Sequence, residues 1–443
     1  MPTPPLFQSK LLCFSLFYLF TALFLSLYAS LSNTKCIFQS PLLDPIQHAL
    51  FNYPSSYGEH KYAISTVHSC TSPVYFSDYQ VVLKEIQDFY MNSSNFPSVL
   101  RYLTEGGESF GGNFSTQKRK SYFDHRDDEV EVPCGFMKNF PVSDSDRLAM
   151  ENCRGVVVAS AIFDDHDKIR QPRGLSVKTL EIVCFFMFID DSTIAGLNSH
   201  NIPIKNNKIG AWRIVRVSGK LPYKNPAMNG VIPKHLIHRL FPNSRFSIWV
   251  DAKLQLTVDP LLLIHALVIS ENADMALSKH PHNIHTIEEA IATARWKKWG
   301  DVELLRMQME TYCENGLQPW TPDKLPYASD VPDTALILRK HGLASNLWSC
   351  LVFNELEAFN PRDQLAFAYV RDLMRPQIKI NMFEVEAFEH IAVEYRHNLK
   401  RGVGGGPDPS EGQKRIKMPI RGAINGSRCE RYLLTMWGEP HDS

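Results

Sequence analysis

The chain has 443 residues, a length that suits one large domain with additional segments. Hydrophobic residues make up 44% of it and aromatic residues 11%, as in a packed globular protein and unlike a disordered one. Lysine plus arginine and aspartate plus glutamate number 47 each, so the formal net charge is zero. A neutral chain exerts no long-range attraction on nucleic acid, which we therefore exclude as an expected partner.

The first predicted element is an apolar segment at residues 11–31, which reads LLCFSLFYLFTALFLSLYASL and carries no charged residue. About 20 such residues in a helix cross a hydrocarbon core. Lys10 precedes the segment and the first acidic residue is Asp44, a bias that predicts a cytosolic tail at residues 1–10, a single-pass membrane signal-anchor and a lumenal remainder. The alternative is a signal peptide cleaved near Ala29, although the apolar region of such a peptide usually spans about 7–15 residues.

Sequons and cysteines independently favour a lumenal location. Three glycosylation sequons fall in predicted loops, and they begin at Asn92, Asn113 and Asn425. Eight of the nine cysteines follow the apolar segment, and an even number in an oxidising compartment permits disulfides. Cys134 and Cys153 flank a short polar segment and are the predicted pair, whereas Cys184 lies in an apolar run and is expected to be a small buried hydrophobic residue.

The chain divides by composition into a lead-in, a folded domain and a tail. Residues 32–133 are predicted to be a lumenal stem and an irregular lead-in, rich in proline and mixed charge. Within it the glycine-rich residues 105–113 follow no clear strand and open no clear helix, so we predict a loop and not a phosphate cradle. Residues 134–400 form the predicted folded domain, and glycines at 403–409 begin a predicted flexible tail at 401–443.

Strand and helix patterns alternate along the folded domain. Apolar runs rich in β-branched and aromatic residues predict strands at residues 156–163, 182–189, 212–217, 246–250, 275–277, 335–338 and 378–380. Helical patterns lie between them at residues 233–240, 260–269, 286–298, 301–313 and 363–374. Strands that are apolar throughout belong to a sheet covered on both faces, so we predict an α/β domain with a mostly parallel sheet flanked by helices.

Acidic residues end three of the predicted strands. Asp164 and Asp165 follow the first, Asp190 and Asp191 the second, and Asp251 the fourth. One acid at a strand end is commonly a turn former or a helix cap, but ligands of open α/β sheets bind outside the carboxyl ends of the strands. We therefore expect these carboxylates to gather at one edge of the sheet, where Asp251 is the first candidate for a functional role.

Asp251 begins an incomplete Asp-x-Asp motif, because Lys253 stands where the second acid of a metal-dependent transferase is expected. The negative charge of a diphosphate leaving group is neutralised by a divalent cation on carboxylates or by lysine and arginine. One alternative is Mn²⁺ or Mg²⁺ held by Asp251 with His280, His282 or His397. The other is that Lys253 itself contacts the pyrophosphate.

A second group of acidic residues lies late in the chain. Asp363 opens a predicted helix, where a carboxylate either caps the helix or accepts the proton of an acceptor hydroxyl as general base. Asp333 and Glu355 are the next candidates. No His-Glu-x-x-His or P-loop motif is present, so zinc-protease and P-loop chemistry find no support.

Ten short segments carry a family resemblance. They are VVASAIF (157–163), FMFID (186–190), WRIV (212–215), LPY (221–223), HRLFPN (238–243), SIWVDAKLQL (247–256), SKHP (278–281), SDVP (329–332), SNL (345–347) and RDQL (362–365). Together they make residues 134–400 resemble the plant TOD/MUCI-type glycosyltransferase-like domain family. The chain departs from that pattern at residues 224–231, which lack the charged residues expected after Tyr223.

The resemblance implies a GT-A-like, Rossmann-like fold, a Golgi membrane location and transfer of a hexose from a nucleotide-sugar donor to a cell-wall or related glycan. It also admits a homodimer or a Golgi transferase complex. The predicted donor-binding residues are Asp190, Asp191, Lys253, Lys234, Arg339 and Gln364.

Two alternatives of other classes remain open. One member type of the family has been labelled an alkaline ceramidase, which implies cleavage of a sphingolipid amide. The other alternative is a catalytically silent lumenal protein that binds a glycan or scaffolds other transferases.

Overall fold

The computed structural model describes residues 10–32, 36–57, 70, 72–91, 100–126, 130–296, 302–395 and 428–437. Two of the predicted glycosylation sites, Asn92 and Asn425, lie outside the described residues, as does the predicted metal ligand His397. The third sequon residue, Asn113, is exposed.

The N-terminal part of the chain contains one long helix, α1, and several shorter elements. They are α1 (Lys10–Ser32), β1 (Ile37–Phe38), β2 (Val74–Tyr75), α2 (Tyr79–Met91), α3 (Thr116–Ser121) and α4 (Asp144–Glu151), with a 3₁₀ turn at Ser55–Tyr57. Helix α1 includes the predicted signal-anchor. However, none of the helices within the described ranges has the combined length and apolar character of a membrane span, so the predicted anchor is not supported.

Ten further strands follow in the folded domain. They are β3 (Val156–Ile162), β4 (Val183–Ile189), β5 (Lys208–Ile209), β6 (Trp212–Arg216), β7 (Phe246–Val250), β8 (Leu254–Leu256), β9 (Met275–Lys279), β10 (Pro332–Lys340), β11 (Ile380–Phe383) and β12 (Ala392–Glu394). All seven strands predicted from the sequence are present. The strands of this domain that the patterns missed, β5, β8 and β12, have only two or three residues.

Eight strands form one central sheet in the order β11-β9-β10-β7-β3-β4-β6-β5. Strands β7, β3, β4 and β6 are mutually parallel, and β11 is parallel to β9. Strand β10 runs antiparallel to both of its neighbours, and β5 is antiparallel to β6. The predicted mostly parallel sheet is therefore confirmed, with β10 inserted in the opposite direction.

Helices cover both faces of this sheet. They are α5 (Val177–Ile182), α6 (Asp191–Ser199), α7 (Pro226–His235), α8 (Ile237–Leu240), α9 (Pro260–Ile264), α10 (Thr286–Trp296), α11 (Val302–Glu314), α12 (Leu343–Ala358), α13 (Asp363–Leu373), α14 (Val385–Ile391) and α15 (Arg428–Trp437). A π turn, His265–Ile269, extends α9. The helix predicted at residues 233–240 is instead the end of α7 followed by α8.

Alternate residues of the central strands enter two separate hydrophobic cores. Trp249 and Ile337 belong to the core that includes α12 and α13, whereas Ile248 and Leu338 belong to the core that includes α9. This is the arrangement that uniformly apolar strands predict, because side chains of a strand alternate between its two faces. The two cores leave only the ends of the strands open for a site.

Four disulfides connect all eight cysteines that follow residue 32: Cys36–Cys70, Cys134–Cys350, Cys153–Cys184 and Cys313–Cys429. The predicted pair Cys134–Cys153 is therefore wrong, and Cys184 is bonded after all. Cys153 precedes β3 and Cys184 lies in the adjacent strand β4, where Val157 aligns with it. Strand pairing brings their Cα atoms to 6.2 Å, a proximity that spacing along the chain does not encode.

The C-terminal region contains ordered structure where a flexible tail was predicted. Helix α15 is joined to α11 by the disulfide Cys313–Cys429. Leu433 and Trp437 of α15 are buried in the main core. The prediction for 401–443 is thus wrong for residues 428–437, because a buried apolar face and a disulfide anchor this helix.

The glycine-rich residues 105–113 form a loop, as predicted, and Glu357 of α12 anchors it. The Glu357 carboxylate accepts hydrogen bonds from Ser109 Oγ at 2.5 Å and from the backbone nitrogens of Gly111 and Asn113 at 2.8 Å each. It also accepts one from Tyr223 Oη at 2.5 Å. The lead-in region is therefore part of the folded domain at these residues, and its backbone donors bind a protein carboxylate, not a phosphate.

Candidate functional site

The candidate site lies at the edge of the sheet where β3, β4, β7 and β9 end and the antiparallel strand β10 begins. Asp251 follows β7 directly, and its backbone nitrogen donates to the carbonyl of Ala335 in β10 at 2.8 Å. Asp333 lies near the start of β10. The strand directions thus bring the end of one strand and the start of its antiparallel neighbour to the same edge, where ligands of α/β sheets bind.

Asp251 is partly open to solvent, and one of its carboxylate oxygens is held by two donors. The side chain is 30% exposed. Its Oδ1 accepts a hydrogen bond from Trp249 Nε1 at 2.6 Å and lies 3.5 Å from Lys234 Nζ. No described residue donates to Oδ2. Trp249 therefore orients the carboxylate and leaves Oδ2 as the oxygen available to a ligand.

Lys234 links Asp251 to a second, buried carboxylate. It lies near the end of α7, and its Nζ is 2.8 Å from Oδ2 of Asp363, the first residue of α13. The same Oδ2 is 3.1 Å from His235 Nε2, and Oδ1 accepts from Thr334 Oγ1 at 2.8 Å. Asp363 is 6% exposed, so both of its oxygens are occupied inside the protein.

The protonation states of this group follow from its partners. Burial by itself raises the pKa of Asp363, but Lys234 and His235 outweigh burial and hold that pKa well below its ordinary value. Burial likewise lowers the pKa of Lys234, but Asp251 and Asp363 raise it more. Burial lowers the pKa of His235 to about 4 despite its bond to Asp363. At neutral pH the group is a carboxylate, an ammonium and a neutral imidazole that donates its Nε2–H.

Asp363 is consequently unsuited to the predicted role of general base. A base must accept a proton, and a carboxylate with a strongly lowered pKa and three donors already bound has little tendency to do so. Its position instead fixes Lys234 between two carboxylates. We assign it as the residue that positions Lys234.

Lys253 and Asp333 complete the site on the other side of Asp251. Lys253 Nζ lies 2.7 Å from Oε1 of Glu394 in β12. Burial lowers the pKa of Lys253, but Asp333, Glu394 and Asp251 together raise it well above its ordinary value. Asp333 Oδ1 accepts from the backbone nitrogen of Ala335 at 2.9 Å, and no described residue donates to its Oδ2.

Six charged side chains thus form what we call the carboxylate–lysine cluster: Asp251, Asp333, Asp363, Glu394, Lys234 and Lys253. Four carboxylates and two ammonium groups give it a formal charge of −2. Three carboxylate oxygens, Oδ2 of Asp251, Oδ2 of Asp333 and Oε2 of Glu394, have no donor among the described residues. An excess of negative charge with free oxygens suits a divalent cation, since Mg²⁺ is typically bound by one or two carboxylates together with substrate phosphates.

The predicted histidine ligand does not join Asp251. His280 Nδ1 accepts from the backbone nitrogens of His282 and Asn283, and its Nε2 is 3.8 Å from a Glu289 oxygen. Burial lowers its pKa, against the attraction of Glu289 and Asp333. Within the described residues, the one trio with metal-binding geometry is Cys134, His238 and Cys350, and its two sulfur atoms are bonded to each other in a disulfide.

Asp190 and Asp191 follow β4 and lie outside the cluster. β4 is separated from β7 by β3, so Asp190 is two strand spacings, about 10 Å, along the same edge. Asp190 caps α6 by accepting from the backbone nitrogen and the hydroxyl of Thr193, and it also accepts from the backbone nitrogen of Asp164. Asp191 is exposed and pairs with Arg216 at 2.7 Å. Asp190 is buried and both of its oxygens accept hydrogen bonds, whereas Asp191 is directed to solvent.

Three other predicted site residues are buried in the fold and lie outside the cluster. Glu355 forms a buried ion pair with Arg119 at 2.7 Å, inside the core and apart from the cluster. Gln364 donates to the carbonyl of Pro332 at 2.8 Å and thereby holds the start of β10. Arg339 is 1% exposed, so a nucleotide-sugar donor at the edge of the sheet cannot reach it. All three residues are buried.

Sequence reasoning missed His235, Thr334 and Glu394, which bind the predicted Asp363 and Lys253. No motif marks them, because each is recognised only by the side chain it meets in three dimensions. His235 had one available signal, its position directly after Lys234.

A family model for the TOD1/MUCI70 glycosyltransferase-like domain matches residues 97–397, about two thirds of the chain. The chain belongs to the TOD1/MUCI70 glycosyltransferase-like domain family. The match begins within the segment predicted to be a stem, in agreement with the packing of the 105–113 loop on α12. It includes every residue of the carboxylate–lysine cluster.

Two proteins of Arabidopsis thaliana are similar in sequence to this chain. The chain is 62% identical over 455 aligned residues to a protein named alkaline ceramidase TOD1, covering 98% of both chains. It is 38% identical over 301 residues to a protein named probable hexosyltransferase MUCI70, covering 63% of this chain and 51% of that one. The chain thus spans about half the length of the second relative.

Solved structures of glycosyltransferases are similar at a low level. Apo mouse xyloside xylosyltransferase 1 matches with a TM-score of 0.31 and 6% identity, over 52% of this chain and 85% of that one. The apo bifunctional glycosyltransferase WbbM matches with a TM-score of 0.29 and 10% identity, over 58% and 41%. Scores this low carry no argument about the site or the reaction.

Proposed function

We propose that the protein is a glycosyltransferase that moves a hexose from a nucleotide-sugar donor to a glycan, with the donor diphosphate bound at the carboxylate–lysine cluster. The observation that carries the proposal is the convergence of Asp251, Asp333 and Lys234 at the ligand-binding edge of the sheet. The membership of a glycosyltransferase-like family and the relative named as a probable hexosyltransferase support it.

The roles of the residues follow from which atoms are free. Oδ2 of Asp251 and Oδ2 of Asp333 would hold a divalent cation, Mn²⁺ or Mg²⁺, which supplies positive charge to the diphosphate when bound. Lys234, fixed by Asp363, places a second positive charge at the same edge, where negative charge develops on the leaving group.

The acceptor hydroxyl needs a proton acceptor, and Asp333 suits that role better than Asp363. Asp333 is partly exposed and has one oxygen without a described donor, whereas both oxygens of Asp363 are occupied. Because the free oxygen of Asp333 is also a cation ligand in this scheme, the two roles are separable by experiment. The Asp333→Asn variant would lose cation binding in one case and only acceptor-dependent turnover in the other.

A lumenal location in the Golgi is part of the proposal. The four disulfides support an oxidising compartment, since such bonds are rare where thiols are kept reduced. A glycan would be the acceptor there.

The decisive experiment measures binding of nucleoside diphosphates to the purified chain, by calorimetry with and without Mn²⁺. We expect at least one of them to bind in an Mn²⁺-dependent manner, and Asp251→Asn to weaken that binding or the donor-dependent turnover by about 100-fold. Asp191→Asn is the matched control, because Asp191 also follows a strand but pairs outward with Arg216. Equal effects of the two substitutions would contradict the assignment of Asp251.

A second candidate function is amide hydrolysis, and the 62% identity to a protein named alkaline ceramidase TOD1 favours it. The same cluster would then activate a water molecule in place of a sugar hydroxyl. Incubation of the chain with an N-acyl sphingoid substrate tests this directly. Release of fatty acid that is lost in Asp251→Asn and Asp333→Asn, together with no binding of any nucleoside diphosphate, would establish the hydrolase and exclude the transferase.

A further inference from the structure

Arg339 in β10 is a buried cation whose hydrogen-bond donors are unused. Its side chain is 1% exposed, and none of its three guanidinium nitrogens bonds to a described residue. Burial lowers its pKa to about 9, against the attraction of Asp363, so the guanidinium remains charged at neutral pH. A buried charge without hydrogen-bonded partners is strongly unfavourable, which makes its environment informative.

The histidines around Arg339 are uncharged at neutral pH. Three histidines are close enough to interact electrostatically with it, and burial lowers the pKa of each. The pKa is about 4 for His235 and about 3 for His341, and that of His238 is well below its ordinary value. Asp363 is the one described carboxylate that attracts Arg339, but its oxygens are bound by Lys234, His235 and Thr334.

Donors outnumber acceptors around this guanidinium. Arginine offers five N–H donors and no acceptor. The indole nitrogen of Trp348, whose ring centroid lies 5.9 Å from that of His235, is another buried donor without a described partner. The open acceptors are the Nδ1 atoms of His235 and His238. Water could bond to these donors and acceptors but would leave the guanidinium charge uncompensated, whereas an anion accepts from the donors and compensates the charge.

We propose that the Arg339 guanidinium, with the indole N–H of Trp348, forms an internal binding site for a small monovalent anion such as chloride. The anion would compensate the guanidinium charge and accept the N–H bonds of Arg339 and Trp348. Because Asp363 attracts Arg339, the site lies behind the carboxylate–lysine cluster.

The test compares thermal unfolding of the full chain in chloride and in gluconate at the same ionic strength, since gluconate is too large to enter the core. We expect the midpoint to be about 2–4 °C higher in chloride. The Arg339→Met variant should have the same midpoint in both salts. Crystals soaked in bromide should show an anomalous peak within hydrogen-bond distance of the Arg339 guanidinium.

Arg371→Met is the matched control, because Arg371 is equally buried but bonded to Asp330 at 2.6 Å and to the carbonyl of Ser329 at 3.1 Å. This variant should be less stable in both salts and keep the chloride dependence. If Arg339→Met does not fold, the bromide experiment on the unmodified chain decides alone. Identical midpoints in the two salts, or water molecules and no bromide at Arg339, would overturn the proposal.

Discussion

Replacing Asp363 by Asn removes one negative charge from the buried end of the carboxylate–lysine cluster while keeping the shape of the side chain. The amide oxygen can still accept one hydrogen bond, but Lys234 loses its partner at 2.8 Å and retains only Asp251 at 3.5 Å. Both Lys234 and Asp363 are nearly inaccessible to water. The substitution therefore leaves a buried ammonium group with half of its compensation.

Breaking a buried ion pair by removing one partner typically costs about 3–5 kcal/mol. Because Asp251 still attracts Lys234, we expect the lower end, about 3 kcal/mol of unfolding free energy. The matched control, Asp191→Asn, breaks a pair with Arg216 in which both side chains are more than half exposed, and such pairs contribute less than about 1 kcal/mol.

Urea unfolding at pH 7, followed by tryptophan fluorescence, measures both values. The midpoint of Asp363→Asn should fall well below that of the unmodified chain, and that of Asp191→Asn should hardly change. If Asp363→Asn costs no more than the control, Lys234 is not held by Asp363, and the positioning role that we assign to this carboxylate is refuted.

Two further predictions concern pH and the C-terminal helix. His235 and His341 have folded-state pKa values of about 4 and about 3, below the unfolded value of about 6.5, so the unfolded chain binds more protons in between. The stabilising effect of these neutral histidines is complete above about pH 6.5 and is lost as the pH falls toward 4. Urea unfolding midpoints should therefore decline between pH 7.5 and 4.5, and less steeply in His341→Asn. If the decline is equally steep in His341→Asn, His341 is not a buried neutral histidine. Replacing both Cys313 and Cys429 by serine should lower the unfolding free energy by about 2–4 kcal/mol and expose α15 to limited proteolysis. The control Cys13→Ser breaks no disulfide and should have neither effect. If the double variant resists protease as well as the control, packing alone retains the helix.

The central sheet was predictable because its strands are short, apolar and bounded by turn residues. The predicted strand at residues 246–250 coincides with β7, and Asp251 at its end proved to be at the site. Helix α12 was missed since it is buried on nearly all sides, and a helix without a polar face shows no amphipathic period. The antiparallel direction of β10 was likewise hidden, because strand patterns carry no information about direction.

The site could be predicted only in part, for a related reason. The end of a strand and motif spacing pointed to Asp251 and Lys253, and both lie in the carboxylate–lysine cluster. The assignment of Asp363 as a base failed because its partners, His235 and Thr334, are set by packing between α7, β10 and α13. Glu355 has the same residue type as a catalytic acid, and only its buried contact with Arg119 shows a structural role.

The disulfide between Cys134 and Cys350 joins two cysteines that are synthesised far apart in time. Cys153 follows Cys134 after 19 residues, whereas Cys350 is 216 residues away and is synthesised much later. Closing the shorter ring is entropically easier by about 2 kcal/mol, so the growing chain is biased toward joining Cys134 to Cys153. Where that bond forms, thiol exchange has to undo it before Cys153 can pair with Cys184.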